Sequence, residues 1–271
     1  RQLHEKLMHQ CKYLFPDKIA LKTVVIIPSL TLDQEILGKV KGHIYYEERL
    51  LCMLMLLRMP HTHVIYITSV PVDPVIVDYY LHLLPGITGY HARQRLTMLS
   101  CYDYSWISLT EKILKRPRLI NRIRMHIPQI DSAHMVCFNV TQFEKELAIK
   151  LGIPLNGCHP KLLPLGTKTG SRLIFKDCNI LTPTGFDDVK SFDELINALA
   201  QLKKNNPALR KAVVKMNDGF SGEGNAVFYY KEIKADENLI VNIKLAFNHN
   251  IKIVAKGLSI PTFINKFESD G

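Results

Sequence analysis

Residues 215–225 read Lys-Met-Asn-Asp-Gly-Phe-Ser-Gly-Glu-Gly-Asn, and their types and spacing suit a phosphate. Three glycines within six residues let the backbone turn sharply and point successive N–H groups inward. Amide donors without Cβ crowding can then approach phosphate oxygens closely. Lys215 sits on the strand-like run 212–216, where its ammonium can reach a phosphate at the loop mouth. A second strand-like run, 226–230, follows the loop. A strand lysine, a glycine loop and a returning strand together make a workable nucleotide clamp. An ordinary hairpin with a flexible tip has the same outline, and the loop alone does not choose between them.

A second cationic, hydroxyl-rich segment, Gly166-Thr167-Lys168-Thr169-Gly170-Ser171-Arg172, opens a helix. No Gly-x-x-x-x-Gly-Lys-Ser/Thr order exists here, and no buried strand leads directly into the segment, so a P-loop ATPase or kinase is disfavoured. Lys168 at a helix start opposes the helix dipole, since cations favour the other end. An anion bridging Lys168 and the helix N-terminus would resolve that conflict, and so would simple solvent exposure of the lysine.

Positioning these residues requires two blocks of structure. In the first, 23–27 is a continuous β-branched apolar run, as befits a strand buried on both faces. Helical spacing over 33–58 carries Ile36, Leu37, Val40, Leu50, Leu51 and Leu54, divided near Gly42. Strands are expected at 63–68 and 133–138, with helices at 74–84 and from Thr141 to Gly152. Thr141 and Glu144 form a capping-box pattern, and Gly152 reads as its C-cap. Alternating buried strands and helices imply a Rossmann-like parallel sheet, giving an α/β fold class. Pro154, Gly157, Pro160 and Pro164 cluster at a boundary, so the domains are expected at 1–155 and 156–271. Beyond it, helices are expected at 167–176, from Ser191 onward and at 237–248, around the two strands that flank the glycine loop.

Composition narrows the class of protein. The chain has 271 residues, 47% hydrophobic and 22% charged, enough apolar material for a real core. No apolar run reaches the about 18 residues of a membrane span, and none is expected to cross one. The sequence begins with Arg1 and shows no signal-peptide pattern, and both ends read as cuts in a longer protein. Its six cysteines form no Cys-x-x-Cys pair, which favours a reducing cytoplasmic setting over a disulfide framework or zinc site. The net charge of +10 is spread over both halves. One acid-free run stands out: Lys112, Lys115, Arg116, Arg118, Arg122 and Arg124. A solvated helix face around Pro117 is its plain reading, and a phosphate-facing patch is its sharper one. No aromatic residue interleaves the run, so base stacking has no support there.

Taken together, Gly-Thr-Lys-Thr-Gly-Ser-Arg at 166–172, Val-Val-Lys at 213–215 and Ser-Gly-Glu-Gly-Asn at 221–225 resemble an ATP-grasp fold. Within it the chain is similar to the branch of bacterial carboxylate–amine (peptide) ligases with a pre-ATP-grasp domain, an architecture shared by the animal IQ-motif-containing protein H family. Segments 27–31, 45–49, 68–69, 78–81 and 116–118 look like the lead-in domain of that branch. The resemblance covers roughly 22–270. It implies a Rossmann-like pre-ATP-grasp domain followed by the N-terminal part of an ATP-grasp fold. By motif, Lys168 and Lys215 would hold the phosphates of ATP, with Ser221, Gly222, Glu223, Gly224 and Asn225 as a flap above them. The family activates a carboxylate as an acyl phosphate for attack by an amine, with magnesium neutralising the transferred phosphate. The magnesium ligands are expected beyond residue 271, and no catalytic residue is assigned within the chain.

Two further readings stand beside this one. A degenerate ATP-grasp scaffold would bind a calmodulin-like or RNA-associated protein partner, using the run Lys112 to Arg124 as its contact surface. A Rossmann-like cofactor binder centred on 23–29 is weaker, because Pro28-Ser29-Leu30 offers no glycine for a pyrophosphate. A hydrolase fails on motif, since no Gly-x-Ser-x-Gly elbow is present. Glu47 and Glu48 are adjacent on one helix, so their side chains diverge and more naturally support packing or salt bridges.

Overall fold

The computed structural model describes residues 1–31, 42–217, 224–255 and 257–270, with the side chains of 43, 44 and 270 left aside. The helical positions Ile36, Leu37 and Val40, and the loop residues Ser221, Gly222 and Glu223, lie outside the described residues. The chain divides into two compact units, Arg1–Lys161 and Leu162–Gly271.

The first unit is built on a five-stranded parallel sheet: β1 (Lys22–Ile27), β2 (Thr62–Thr68), β3 (Leu96–Ser100), β4 (Ala133–Cys137) and β5 (Leu155–Asn156), in the order β3-β2-β1-β4-β5. β1 sits in the middle, pairing with β2 through Val24↔Val64 and with β4 through Val25↔Met135. All six of its residues are buried, which is why its sequence runs apolar without alternation.

Helices cover both faces of this sheet, so its core splits in two. Val25, Ile27, Ile65 and Met135 face one cluster, which includes Ile113, Ile123 and Leu147. Val24, Ile26, Val64 and Tyr66 face another, with Leu51, Leu54, Val77 and Leu81. The first cluster takes its helices from α4 (Leu109–Leu114), α5 (Pro117–Met125) and α6 (Gln142–Leu151). The second takes them from a 3-10 helix at His43–Arg58 and from α2 (Pro74–His82), with α1 (Gln2–His9) and α3 (Gly89–Arg93) completing the unit. Gly42 opens the 3-10 helix in the left-handed region, where the sequence expected a division.

Local chemistry sets the helix ends. Thr141 caps α6 in a complete capping box with Glu144. Gly152 ends the helix at φ 73°, a conformation that a Cβ would penalise. Asp73 caps α2 by accepting the Val75 N–H at 2.9 Å. Pro117 starts a new helix instead of sitting inside one, so the basic run falls on α4, a turn and α5.

The second unit pairs a three-stranded antiparallel sheet with helices. The strands are β6 (Lys211–Lys215), β7 (Asn225–Tyr229) and β8 (Ile251–Ile253), in that order. Helices α7 (Leu163–Gly166) and α8 (Lys168–Asp177) precede them, followed by α9 (Phe192–Asn205), α10 (Leu239–Asn250) and α11 (Ile260–Asp270). Burial alternates along β6: Ala212 and Val214 point into the core, while Lys211, Val213 and Lys215 point out. On the core side, Phe228 and Phe247 stack 5.8 Å apart between α9, α10 and the sheet. One face of this sheet is therefore core, and the other is open and carries lysines. Among the described residues, no helix is long and apolar enough to cross a membrane.

Candidate functional site

The open face of β6 forms one wall of a cleft of about 940 Å³ in the second unit. Lys168, Thr169, Ser171 and Arg172 of α8 line it, as do Lys211, Val213 and Lys215 of β6, Asn217 and the strap 182–189. Two of the sequence-predicted phosphate ligands, Lys168 and Lys215, thus come to one cavity although 47 positions separate them in the chain.

Asn217 is the residue that joins them. Its backbone carbonyl accepts the Lys168 N–H at 3.2 Å, and its side-chain carbonyl accepts the Thr169 N–H at 3.0 Å. Thr167 supplies the remaining cap, its Oγ1 accepting the Gly170 N–H at 3.1 Å and donating to the Pro164 carbonyl at 2.7 Å. The first donors of α8 are therefore satisfied within the protein. An anion bridging Lys168 and the N-terminus of α8, one of the two resolutions the sequence leaves open, is thus not needed to satisfy these N–H groups. The carbonyls of Asn217 take that role, and an anion in the cleft would meet the side chains of the helix start instead.

Gly170 is structural, not phosphate-binding. A Cβ there would lie 2.0 Å from the Pro164 carbonyl oxygen, so the helix packs backbone to backbone against α7. At the far side of the glycine loop, Gly224 accepts the Met216 N–H at 2.8 Å through its carbonyl. Asn225, the first residue of β7, pairs with Lys215. These two predicted flap residues form the loop's root, and Ser221, Gly222 and Glu223 lie outside the described residues.

The acids of the cleft are already matched. Arg172 donates to Asp187 through Nε and to the Pro183 carbonyl at 3.1 Å, pinning the strap to α8. Asp188 pairs with Lys190 at 3.2 Å, its backbone in the left-handed region at φ 58°. With both aspartates paired, Lys211 and Lys215 add positive charge to the cleft. Among the described residues, no group of three or more His, Cys, Asp or Glu converges as a metal site, so none is assigned to magnesium.

Sequence reading missed Asn217, Arg172 and Asp187 as site-builders. Asn217 stands in Asn-Asp-Gly, which reads as turn chemistry, and its hydrogen-bonding role depends on a helix 48 positions earlier.

Polar groups also gather in the first unit at the carboxyl ends of its strands, where doubly wound sheets usually bind ligands. Here they satisfy one another. The Thr31 N–H donates to Asn139 Oδ1 at 3.0 Å, and Asn139 Nδ2 returns a bond to the Thr31 carbonyl at 2.9 Å. Thr31 Oγ1 donates to Glu144 at 2.7 Å.

One strand further out, Glu47 accepts from both the backbone and the hydroxyl of Ser69, and Lys112 Nζ donates to that hydroxyl at 2.9 Å. Burial raises the Glu47 carboxyl pKa and lowers that of the Lys112 ammonium, each partly offset by the other's charge. Lys112 is only 3% exposed, and Arg116 is paired with Asp103 at 2.7 Å. The plain reading of the basic run as a solvated face holds for Lys115, Arg118, Arg122 and Arg124, which are exposed, and is corrected for Lys112, which is core, and Arg116, which is tied back.

Residues 163–253 match the family described as IQCH-like, ATP-grasp. The chain carries an IQCH-like ATP-grasp domain. That domain contains α8, β6, Asn217 and the glycine loop, and hence most of the cleft.

Among curated proteins, the chain is 28% identical over 202 residues to an L-propargylglycine–L-glutamate ligase of Streptantibioticus cattleyicolor, covering 72% of this chain and 42% of that one. It is 25% identical over 223 residues to the IQ motif-containing protein H of Danio rerio, covering 76% of this chain and 21% of that one. Both alignments are longer than the second unit, so the likeness extends beyond the ATP-grasp domain. The chain spans less than half the length of each of these relatives. No solved structure matches it.

Proposed function

We propose that the ATP-grasp domain binds ATP with magnesium, and that the whole protein is a carboxylate–amine ligase. The observation that carries this reading is the pair of hydrogen bonds that the start of α8 donates to Asn217, with Lys168 and Lys215 lining one cleft. The donor set fits the nucleotide. Lysines and the hydroxyls of Thr169 and Ser171 suit phosphate oxygens, while Val213 and Phe175 offer apolar surface to a base. Lys168 and Lys215 would hold the phosphates, with 221–225 closing over them. ATP would supply the phosphoryl group that activates a carboxylate for attack by an amine. The ligase relative, whose name pairs two amino acids, supports that reaction class.

In the domain organisation proposed here, 1–155 is the pre-ATP-grasp domain and 156–271 the nucleotide-binding part. Magnesium would draw its ligands from residues other than those described.

The test is calorimetric titration of the full-length protein with ATP, with and without magnesium, beside Lys168→Ala and Lys215→Ala. Magnesium-dependent binding that both substitutions abolish supports the site. A folded wild-type protein that takes up no ATP overturns it.

A further inference from the structure

Residues 101–106, Cys-Tyr-Asp-Tyr-Ser-Trp, follow β3 in the first unit and present three large rings to solvent. Tyr102 is 75% exposed, Tyr104 72% and Trp106 58%. Single exposed aromatics are unremarkable on a protein surface, but three within five residues on a tethered loop are not.

The loop is held from behind. The Tyr102 N–H donates to Ser100 Oγ at 3.1 Å, the Asp103 N–H to the Ser69 carbonyl at 2.9 Å and the Ser105 N–H to Asp103 Oδ1 at 2.8 Å. Tyr102 itself sits at φ 52°, a strained conformation for a bulky residue that persists only where its surroundings impose it. Hydrogen bonds from Ser105, and then from Arg116, hold the Asp103 carboxyl down to about 2, so the tether stays ionised across the ordinary pH range.

The same tether joins the loop to the start of the basic helix. Arg116 Nη2 donates to Asp103 Oδ2 at 2.7 Å, and Arg116 immediately precedes α5. Lys115, Arg118 and Arg122 follow one another at spacings of three and four, which keeps Arg118 and Arg122 on one helix face. The opposite face, with Leu119, Ile120 and Ile123, is buried. Among the described residues, none of Lys115, Arg118, Arg122 and Arg124 enters an ion pair. In sequence the basic run has no aromatic partner, but in the fold Arg116 ties it to the loop that carries three rings.

We propose that this surface of the first unit binds single-stranded nucleic acid, with phosphates along Lys115, Arg118 and Arg122 and bases stacked on Tyr102, Tyr104 and Trp106. The cations call for a polyanion, and the flat rings select one with exposed π-faces. Unpaired bases offer such faces, whereas duplexes and acidic peptides do not. No side chain of the patch is committed to one base by a fixed fork, so binding is tolerant of sequence.

Trp106 is the only tryptophan of the chain, so intrinsic emission reports from within the surface. The full chain is titrated with labelled oligo(U) and oligo(dT), following strand anisotropy and Trp106 emission together. Both signals should saturate in parallel. Tyr104→Ala and Tyr102→Asn, the latter retaining a residue that accepts left-handed backbone, should each weaken binding about tenfold. Arg118→Gln and Arg122→Gln should each reduce the slope of log affinity against log salt by about 0.7. No binding at low salt overturns the proposal. Binding that ignores the tyrosine substitutions, or that polyglutamate matches strand for strand, overturns it equally, because the surface would then be a plain anion attractor.

Discussion

The side-chain carbonyl of Asn217 accepts the backbone N–H of Thr169 at 3.0 Å, fastening the end of β6 to the first turn of α8. This bond does two things. It caps a helix, and it fixes the register between the lysine of the strand and the lysine of the helix. Asn217→Ala should therefore lower stability by about 1 kcal/mol, the usual cost of a lost N-cap. On the proposed function, ATP affinity should also fall about tenfold, equivalent to about 1.4 kcal/mol. Thermal melts and ATP titration of the same variant check both, and Asn217→Asp, which keeps an acceptor, should recover most of the stability.

Gly170 should tolerate no side chain. A Cβ at this position would approach the Pro164 carbonyl oxygen to 2.0 Å and force α7 and α8 apart, at about 1–3 kcal/mol. Gly166→Ala meets nothing within 4 Å and should stay within about 0.5 kcal/mol of wild type. Denaturant unfolding of the two variants side by side gives the comparison.

The Glu47–Ser69–Lys112 network should show strong coupling. Lys112→Met removes the cation that faces the buried Glu47 carboxylate across Ser69 and should cost about 3 kcal/mol. Glu47→Gln in the same chain removes the stranded charge, so the double variant should cost less than the two single costs added together. A double-mutant cycle on unfolding free energies measures the difference.

His134 makes a pH prediction. It is buried in β4 with no partner for Nδ1 among the described residues, and burial followed by the charge of Lys22 lowers its pKa to about 4, against 6.5 in a solvated histidine. Between those values the unfolded chain binds a proton that the folded chain refuses. Its contribution is thus fully present above about pH 6.5 and is lost as pH falls toward about 4. Melting temperature followed over that window should drop less steeply for His134→Asn than for wild type.

Much of this protein is legible in one dimension. The β1 run 22–27 announces a doubly covered strand because nearly every residue is apolar or β-branched. The capping box at Thr141 and the stop at Gly152 fix α6 through contacts only a few residues apart. Lys215, beside a glycine-rich stretch between two strands, marks the cleft because local backbone freedom and one cation are visible in the string. The short strands β3, β5 and β8 were not legible, since a few half-buried residues carry too little periodicity to stand out from loops.

What the sequence by itself determined is therefore the longer strands and helices and the kind of chemistry near Lys168 and Lys215, all carried by interactions between near neighbours. The tertiary structure alone decided what those residues meet. It placed the Asn217 carbonyls on the first N–H groups of α8, drew Lys112 into the core against Ser69, and joined the loop of exposed rings at 102–106 to the basic helix through Asp103 and Arg116. Each of these pairings links residues between 13 and 48 positions apart. Hydrogen bonds and ion pairs act over a few ångströms of space, and only the packing of sheet and helices brings such distant positions within that reach.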